Sequence, residues 1–231
     1  MKTTNVKPSD LNYDAYTTSK YDRDIINSIP FHKELHDHIA DFIVKYLDSE
    51  KEYNILDLGT GTGITAKLVQ QLLPNSKIDV VDFSEQMIKG AKKKLGKKNV
   101  EYFLGDYSKM KFKKKYDMVI SVIGIHHQNE AGKKNIFKKI FTLLKEESVF
   151  VFGDLMTCDD KSEAALNQSL HFHHLVEKSA DRKTLREWAY HHLFLNDLAT
   201  IEDQIGWLKG IGFKSKIGMF KFNTGLIIAK K

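Results

Sequence analysis

The sequence predicts an α/β fold, a mostly parallel sheet whose strands are joined by crossover helices. From about residue 50 onward short apolar runs alternate with helical patterns, which is what a parallel sheet with connecting helices produces. One stretch, 155–199, breaks the alternation and reads as two or so helices with no strand between them. At 231 residues the chain can bury one good core, so a single domain with a small cap fits better than two independent domains.

The elements follow in order. NILDL (54–58) is the first strand, and ITAKLVQQLL (64–73) is a helix stopped by Pro74. KIDVVD (77–82) is the second strand, followed by a helix over 84–95 that Ser84 caps and whose Met87, Ile88, Ala91 and Leu95 share one face. VEYFLGD (100–106) and YDMVISVIGI (116–125) are the third and fourth strands. The helix over 133–144 turns Ile136, Phe137, Ile140, Phe141 and Leu144 inward, and SVFVFGD (148–154) is the fifth strand. A helix at IEDQIGWLKGIGF and strands near 214–220 and 223–230 complete the pattern. The insertion at about 155–199 is expected to cap the carboxyl ends of the strands, where open α/β sheets bind ligands. Residues 1–50, with a helix through HKELHDHIADFIVKYL, are expected to form the other side of that lid, leaving 51–231 as the main domain.

Composition narrows the function classes. No apolar run approaches a membrane span, the amino terminus lacks a signal-peptide core, and the single cysteine, Cys158, has no thiol partner. A cytoplasmic protein with no membrane partner is expected. The net charge of +6 is carried by lysine-dense stretches at 89–98 and 109–117, which can attract RNA phosphates. No RGG or RNP-type aromatic pattern accompanies them, so they are read as solvated surface.

The loop in NILDLGTGTGITA carries the chemistry. A dinucleotide fingerprint would place its third glycine at Ile64, and Asp57 stands two residues before Gly59. A carboxylate there repels a pyrophosphate and attracts an ammonium group. S-adenosylmethionine carries an ammonium and a sulfonium and no phosphate, so Asp57, Gly59, Thr60 and Gly61 suit it. Asp82 closes the second strand where an acid can accept from the two ribose hydroxyls. At Gly105, Asp106 and Tyr107 a carboxylate can accept from the adenine amino group, and Phe83 and Met87 are placed to cover an adenine face.

DLGTGTG, VVDFSEQMI, GDY and YDMVISVIGIHH, in this order, resemble the class I S-adenosylmethionine-dependent methyltransferases. The likeness runs from about 53 to 154 and returns in WLKGIGF and LIIAKK. It implies a Rossmann-like, seven-stranded, mostly parallel sheet with helices on both faces, S-adenosylmethionine as methyl donor and S-adenosylhomocysteine as product. It also implies that Asp57 holds the donor ammonium through backbone or water, that Gly59 and Gly61 let the donor approach, and that Asp82 binds the ribose. Val122, at the end of the fourth strand, joins this set. So does Tyr21, which with Tyr13 and Tyr16 is placed to close over the methionine end, with Arg23 available to the donor carboxylate. A narrower likeness, in NSIPFHKEL, NQSLHFHHLVEK and the tail from IEDQIGWLKGIGF onward, is to the carboxy-S-adenosylmethionine synthases of tRNA wobble-uridine modification. Those enzymes carry DLGCSLG in the loop and an arginine in the second cap helix. Here the loop is DLGTGTG, and REWAYHHLFLND offers Ala189, His191 or His192 at the arginine's place.

Methyl transfer is an in-line displacement, for which a protein orients two reactants, excludes water and, for a protonated acceptor, supplies a base. His126 and His127 follow the fourth strand, and they are the catalytic candidates. No metal is assigned: His32 and His36 stand one helical turn apart, but no HExxH pattern accompanies them, and a site built from cap histidines with His126 or His127 is the less favoured alternative. Cys158 is read as a packing residue. The expected function is methylation of a small-molecule acceptor enclosed by the helical cap. The alternative is tRNA modification, either RNA methylation or donor carboxylation, with tRNA as a partner less favoured than a small molecule. A homodimer is left open.

Overall fold

The computed structural model describes residue 11, residues 13–15 and residues 17–231. Tyr16 lies outside the described residues. Seven strands form one sheet: β1 (Asn54–Leu58), β2 (Lys77–Asp82), β3 (Val100–Leu104), β4 (Tyr116–Val122), β5 (Leu144–Leu155), β6 (Lys214–Lys221) and β7 (Thr224–Lys230). Their spatial order is β3-β2-β1-β4-β5-β7-β6. Strands β1 to β5 pair parallel, and β7 runs antiparallel to both β5 and β6. The seven-stranded α/β fold expected from the sequence is the fold observed.

Among the described residues eight α-helices surround the sheet: α1 (Thr18–Ser28), α2 (His32–Tyr46), α3 (Ile64–Leu72), α4 (Glu85–Leu95), α5 (Glu130–Leu143), α6 (Lys161–Lys178), α7 (Arg182–Tyr190) and α8 (Ile201–Ile211). Both sheet faces are covered, which is why the inner strands read as nearly continuous apolar runs. Leu56, Val81, Val119, Phe150 and Phe152 point into one core with Phe137 and Ile140 of α5 and Leu208 of α8. The alternate residues Ile55, Val80, Met118, Ile120 and Val151 point into the other. Leu35, Ile39 and Ile43 of α2 are fully buried in that second core. The amino-terminal segment therefore divides: α2 is a layer of the sheet, while α1 and Tyr13 before it stand over the strand ends.

Several boundaries differ from the sequence reading, two of them for a clear local reason. β4 stops at Val122 because Ile123 takes a left-handed backbone (φ 55°), rare for a β-branched residue, held by its N–H donating to the Gly153 carbonyl at 2.8 Å. α5 begins at Glu130 because the Asn129 side chain caps it, accepting from the Gly132 N–H at 2.9 Å. After α7 the chain widens into a π turn, His191–Leu195, a feature that recurs at functional sites.

The strand order reverses at β1, between β2 and β4, so the crevice outside the carboxyl ends of β1 and β4 is the switch-point cleft where such sheets bind ligands. The loop from β1 into α3 ends on Gly63, at φ 84°, with the place of a Cβ lying 3.2 Å from Leu95 Cδ1 and 3.4 Å from Ala91 Cα. Gly63→Ala is expected to cost about 1–3 kcal/mol in urea unfolding, from left-handed backbone and overpacking together. Wild-type stability in that variant would show that α3 and α4 can separate freely here.

Candidate active site

Asp57, one residue before the end of β1, has only 1% exposure and accepts the Thr60 hydroxyl at 2.7 Å. Burial pushes it up to about 7; the Thr60 hydroxyl opposes the shift and Asp82 adds to it. Asp82 ends β2 and accepts two backbone N–H groups, Gly61 at 2.9 Å and Ser84 at 2.9 Å. Burial lifts it to about 6 against those bonds. Gly59 and Thr60 donate their N–H groups to the Val81 carbonyl, both at 3.0 Å. The glycine loop is thus tied to β2 through Asp82 and Val81, and among the described residues neither buried acid is paired with a lysine or arginine. Gly61 holds φ 55°, and a Cβ there would meet the Tyr21 hydroxyl at 3.3 Å, so α1 closes directly onto the loop.

Three cavities meet at this edge. The first is lined by Asp57, Thr60, Gly61, Val122, His36 and Tyr21. The second is lined by Asp82, Phe83, Met87, Asp106, Tyr107 and His127. Gly59, Tyr21 and Ile123 belong to both. The third, under α6 and α7, is lined by His126, His171, Trp188, His191, His192 and Asn196, and it also reaches Tyr21 and Ile123. Among the described residues no lysine or arginine lines any of the three. Gly105 is absent from these walls; its missing Cβ would stand 3.0 Å from Met110 Sδ, a packing demand. Arg23 also lies outside them, with its side chain 65% exposed and 3.6 Å from Asp24.

His126 and His127 occupy a short 3₁₀ turn, Ile125–His127, between the second and third cavities. Asp154, at the end of β5, accepts His126 Nδ1–H at 2.5 Å and the backbone N–H groups of Ile125 and His126 at 2.9 Å each. Burial raises Asp154 to about 7 and depresses His126, with His191 adding to the depression. His127 donates Nδ1–H to the Leu195 carbonyl at 3.1 Å and accepts the Tyr13 hydroxyl on Nε2 at 3.1 Å. Lys133 of α5, fully buried, donates to the carbonyls of Gln128 and Asp197, and the Asp197 N–H donates to the His126 carbonyl at 2.8 Å. These bonds clip the histidine turn to the segment after α7.

The profile of a methyltransferase domain family matches residues 55–147. Over 118 residues the chain is 37% identical to malonyl-[acyl-carrier protein] O-methyltransferase 2 of Ilyobacter polytropus, a match that covers 50% of this chain and 45% of that protein. The chain thus spans about half the length of that relative. It is 28% identical over 228 residues to the carboxy-S-adenosyl-L-methionine synthase of Helicobacter hepaticus, covering 95% of this chain and 94% of that one. Among solved structures, the DhpI-SAM-HEP complex superposes with a TM-score of 0.67 over 100% of both chains at 15% identity, a likeness of fold alone.

Residues 55–147 match a methyltransferase domain, and the likenesses of the chain are to S-adenosylmethionine-dependent methyltransferases and a carboxy-S-adenosyl-L-methionine synthase.

The lining of the first two cavities suits a cationic ligand such as S-adenosylmethionine by charge. Asp57 and Asp82 face the first two cavities, which no lysine or arginine lines among the described residues, a wall that favours a cation and disfavours a pyrophosphate; Asp106, on the same wall, is paired outward with Lys109 at 3.2 Å. The histidine pair of α2 belongs to the same wall. His36 donates Nδ1–H to the His32 carbonyl at 2.9 Å and accepts the Thr65 hydroxyl on Nε2 at 3.0 Å, so its nitrogens are committed to the fold. No described helix is long and apolar enough to cross a membrane. Sequence reasoning missed Ile123, Lys133 and Asp154. Of these only Asp154 had a signal, as an acid at the carboxyl end of an apolar strand.

Proposed function

We propose that the protein transfers the methyl group of S-adenosylmethionine to a small acceptor held in the histidine-lined cavity under α6 and α7, which serve as the cap. The observation that carries this is the shared wall: Tyr21 and Ile123 face the two donor cavities and the third cavity alike. Bound S-adenosylmethionine supplies a methyl on a positively charged sulfur, an electrophile that needs no protein nucleophile. Asp57 pairs with the donor ammonium, as its burial beside only neutral and acidic groups favours. Asp82 and Asp106 accept from the ribose hydroxyls and the adenine amino group; both oxygens of Asp82 keep a lone pair beyond their backbone bonds. Thr60, Gly61 and Val122 line the methionine end, and Phe83, Met87 and Tyr107 the adenine end.

His126 is the base. Asp154 holds its Nδ1–H tautomer and stabilises the imidazolium that forms when Nε2 takes a proton from the acceptor. His127, fixed by Leu195 and Tyr13, orients the acceptor. His171 supports a polar acceptor: its Nδ1 is buried in the third cavity's wall with no hydrogen-bond partner.

The end-to-end likeness to a carboxy-S-adenosyl-L-methionine synthase favours a second reading, in which the product is a carboxylated donor. The third cavity counts against it, since among the described residues no arginine or lysine lines it to grip an added carboxylate. The family profile ends at residue 147, before α6 and α7, so it speaks for the donor half, whereas the likeness to the synthase runs through both helices. Calorimetry with S-adenosylmethionine and S-adenosylhomocysteine tests the first reading, and failure to bind either ends it. Native mass spectrometry of the protein as purified separates the two readings by ligand mass.

Donor binding is expected to depend on pH. Asp57 at about 7 and Asp82 at about 6 lie above the ordinary carboxylate range, so the unliganded fold prefers them protonated. Their contribution to stability is fully present below the ordinary carboxylate value near 4 and is lost as pH rises through 6–7. An ammonium pairs with the ionised form, so donor affinity rises across that window and binding releases protons there. The melting-temperature gain from S-adenosylmethionine should be larger at pH 8 than at pH 5.5; equal gains would remove Asp57 from the ammonium site.

A further inference from the structure

We propose that His126, His127 and His191 bind one divalent transition-metal ion, of the zinc or iron class, at the junction of the donor and acceptor cavities. One ring nitrogen of each lies within 4.8 Å of those of the other two. The rings come from two separate elements, the 3₁₀ turn Ile125–His127 and the π turn His191–Leu195, which Lys133 and the Asp197 N–H hold together.

The groups behind the rings point to ligation. Metal-binding imidazoles characteristically donate their other N–H to a carboxylate or a backbone carbonyl, which fixes tautomer and orientation. Here His126 Nδ1–H goes to the Asp154 carboxylate at 2.5 Å, and His127 Nδ1–H goes to the Leu195 carbonyl at 3.1 Å. Both rings therefore leave Nε2 for a further ligand. The Tyr13 hydroxyl now sits on His127 Nε2 at 3.1 Å, a place that it yields to the ion or shares as a fourth ligand. Tetrahedral zinc with bonds of about 2.0–2.1 Å sets ligand nitrogens ~3.3 Å apart, so no pair need close by more than roughly 1.5 Å from its bound of 4.8 Å.

Ligand chemistry selects the ion. Three neutral imidazoles suit zinc, iron, copper or nickel and disfavour magnesium and calcium, which want oxygen. Three histidines with one open position are also the donor set of catalytic zinc. His126 and His191 line the third cavity, so the open position is available to an oxygen or nitrogen of the acceptor. That role rests on the proposed methyl transfer, whereas metal binding itself does not; in the metal-bound protein His126 Nε2 is occupied, so the ion replaces His126 as the group that eases deprotonation of the acceptor. The competing account is that the three rings, with centroids 4.0 Å apart for His126 and His127 and 5.2 Å for His127 and His191, simply pack.

The test uses the full chain made without a histidine tag, stripped with chelator, loaded with zinc and desalted. Elemental analysis is expected to find about one zinc per chain, and Co²⁺ in its place to give the visible absorption of a tetrahedral nitrogen site. His191→Ala is expected to lower zinc affinity at least about tenfold, and His38→Ala, on an exposed face of α2, to leave it unchanged. Less than about a tenth of a zinc per chain in the wild type, together with no Co²⁺ spectrum, overturns the site. Undiminished zinc in a folded His191→Ala protein does the same. Calorimetry with S-adenosylmethionine on the stripped wild type stays independent: donor binding without zinc uptake sinks the metal and spares the methyltransferase reading.

Discussion

Asp57→Asn is expected to weaken S-adenosylmethionine binding about 100-fold while making the unliganded protein more stable at pH 8. Asp57 is 1% exposed and burial pushes it up to about 7, so in the empty protein an ionised carboxylate there is a cost. An amide of the same shape removes that cost and still accepts the Thr60 hydroxyl on its oxygen. The stability gain should be on the order of 1–2 kcal/mol, discounted from the full pKa shift because water and structural relaxation soften it. The same amide has no charge to offer an ammonium, and a 100-fold loss corresponds to about 2.7 kcal/mol. Calorimetry and chemical unfolding of the two proteins measure the two halves. A variant that loses stability and keeps its affinity would show that the carboxylate serves the loop and not the donor.

Lys133→Met is expected to cost about 2–4 kcal/mol of stability, a large loss for one side chain on α5. The ammonium is buried to 1% exposure and donates to the carbonyls of Gln128 and Asp197. Burial lowers its pKa, while Asp197, Asp154 and Glu130 oppose the shift. Methionine matches its length and spares its desolvation, but it leaves two carbonyls unpaired at about 1–3 kcal/mol each. It also unfastens the turn that carries His126 and His127 from the segment after α7. Turnover should therefore fall further than donor affinity once an acceptor is in hand. Urea unfolding decides the first point; wild-type stability would mean that the carbonyls find other donors.

The sequence showed most clearly what depends on local pattern and on charge. Strands β1, β2 and β5 are apolar on both faces because both faces are buried, and Ser84 caps α4 as its position implied. Asp57 and Asp82 were legible because an acid at each place excludes one ligand class and invites another. Other features arise only in three dimensions. Ile123 turns left-handed with no glycine to announce it. Lys133 looks like one more surface lysine until the fold brings Asp197 to it. The alliance of His191 with His126 and His127 needs a π turn that no periodicity in REWAYHHLFLND signals. That α2 is a sheet layer was hidden because an amphipathic helix can cover a sheet or a cleft with the same face.

Tyr21 and Ile123 are walls of all three cavities, and Tyr21 also rests against Gly61. A displacement of either side chain redraws every compartment together. Occupancy of one compartment is then felt by the next across a single side chain, with no relay through the sheet. In such an arrangement the order in which reactants arrive and products leave is written into α1, the helix that carries Tyr21, as much as into the residues that touch the transferred methyl.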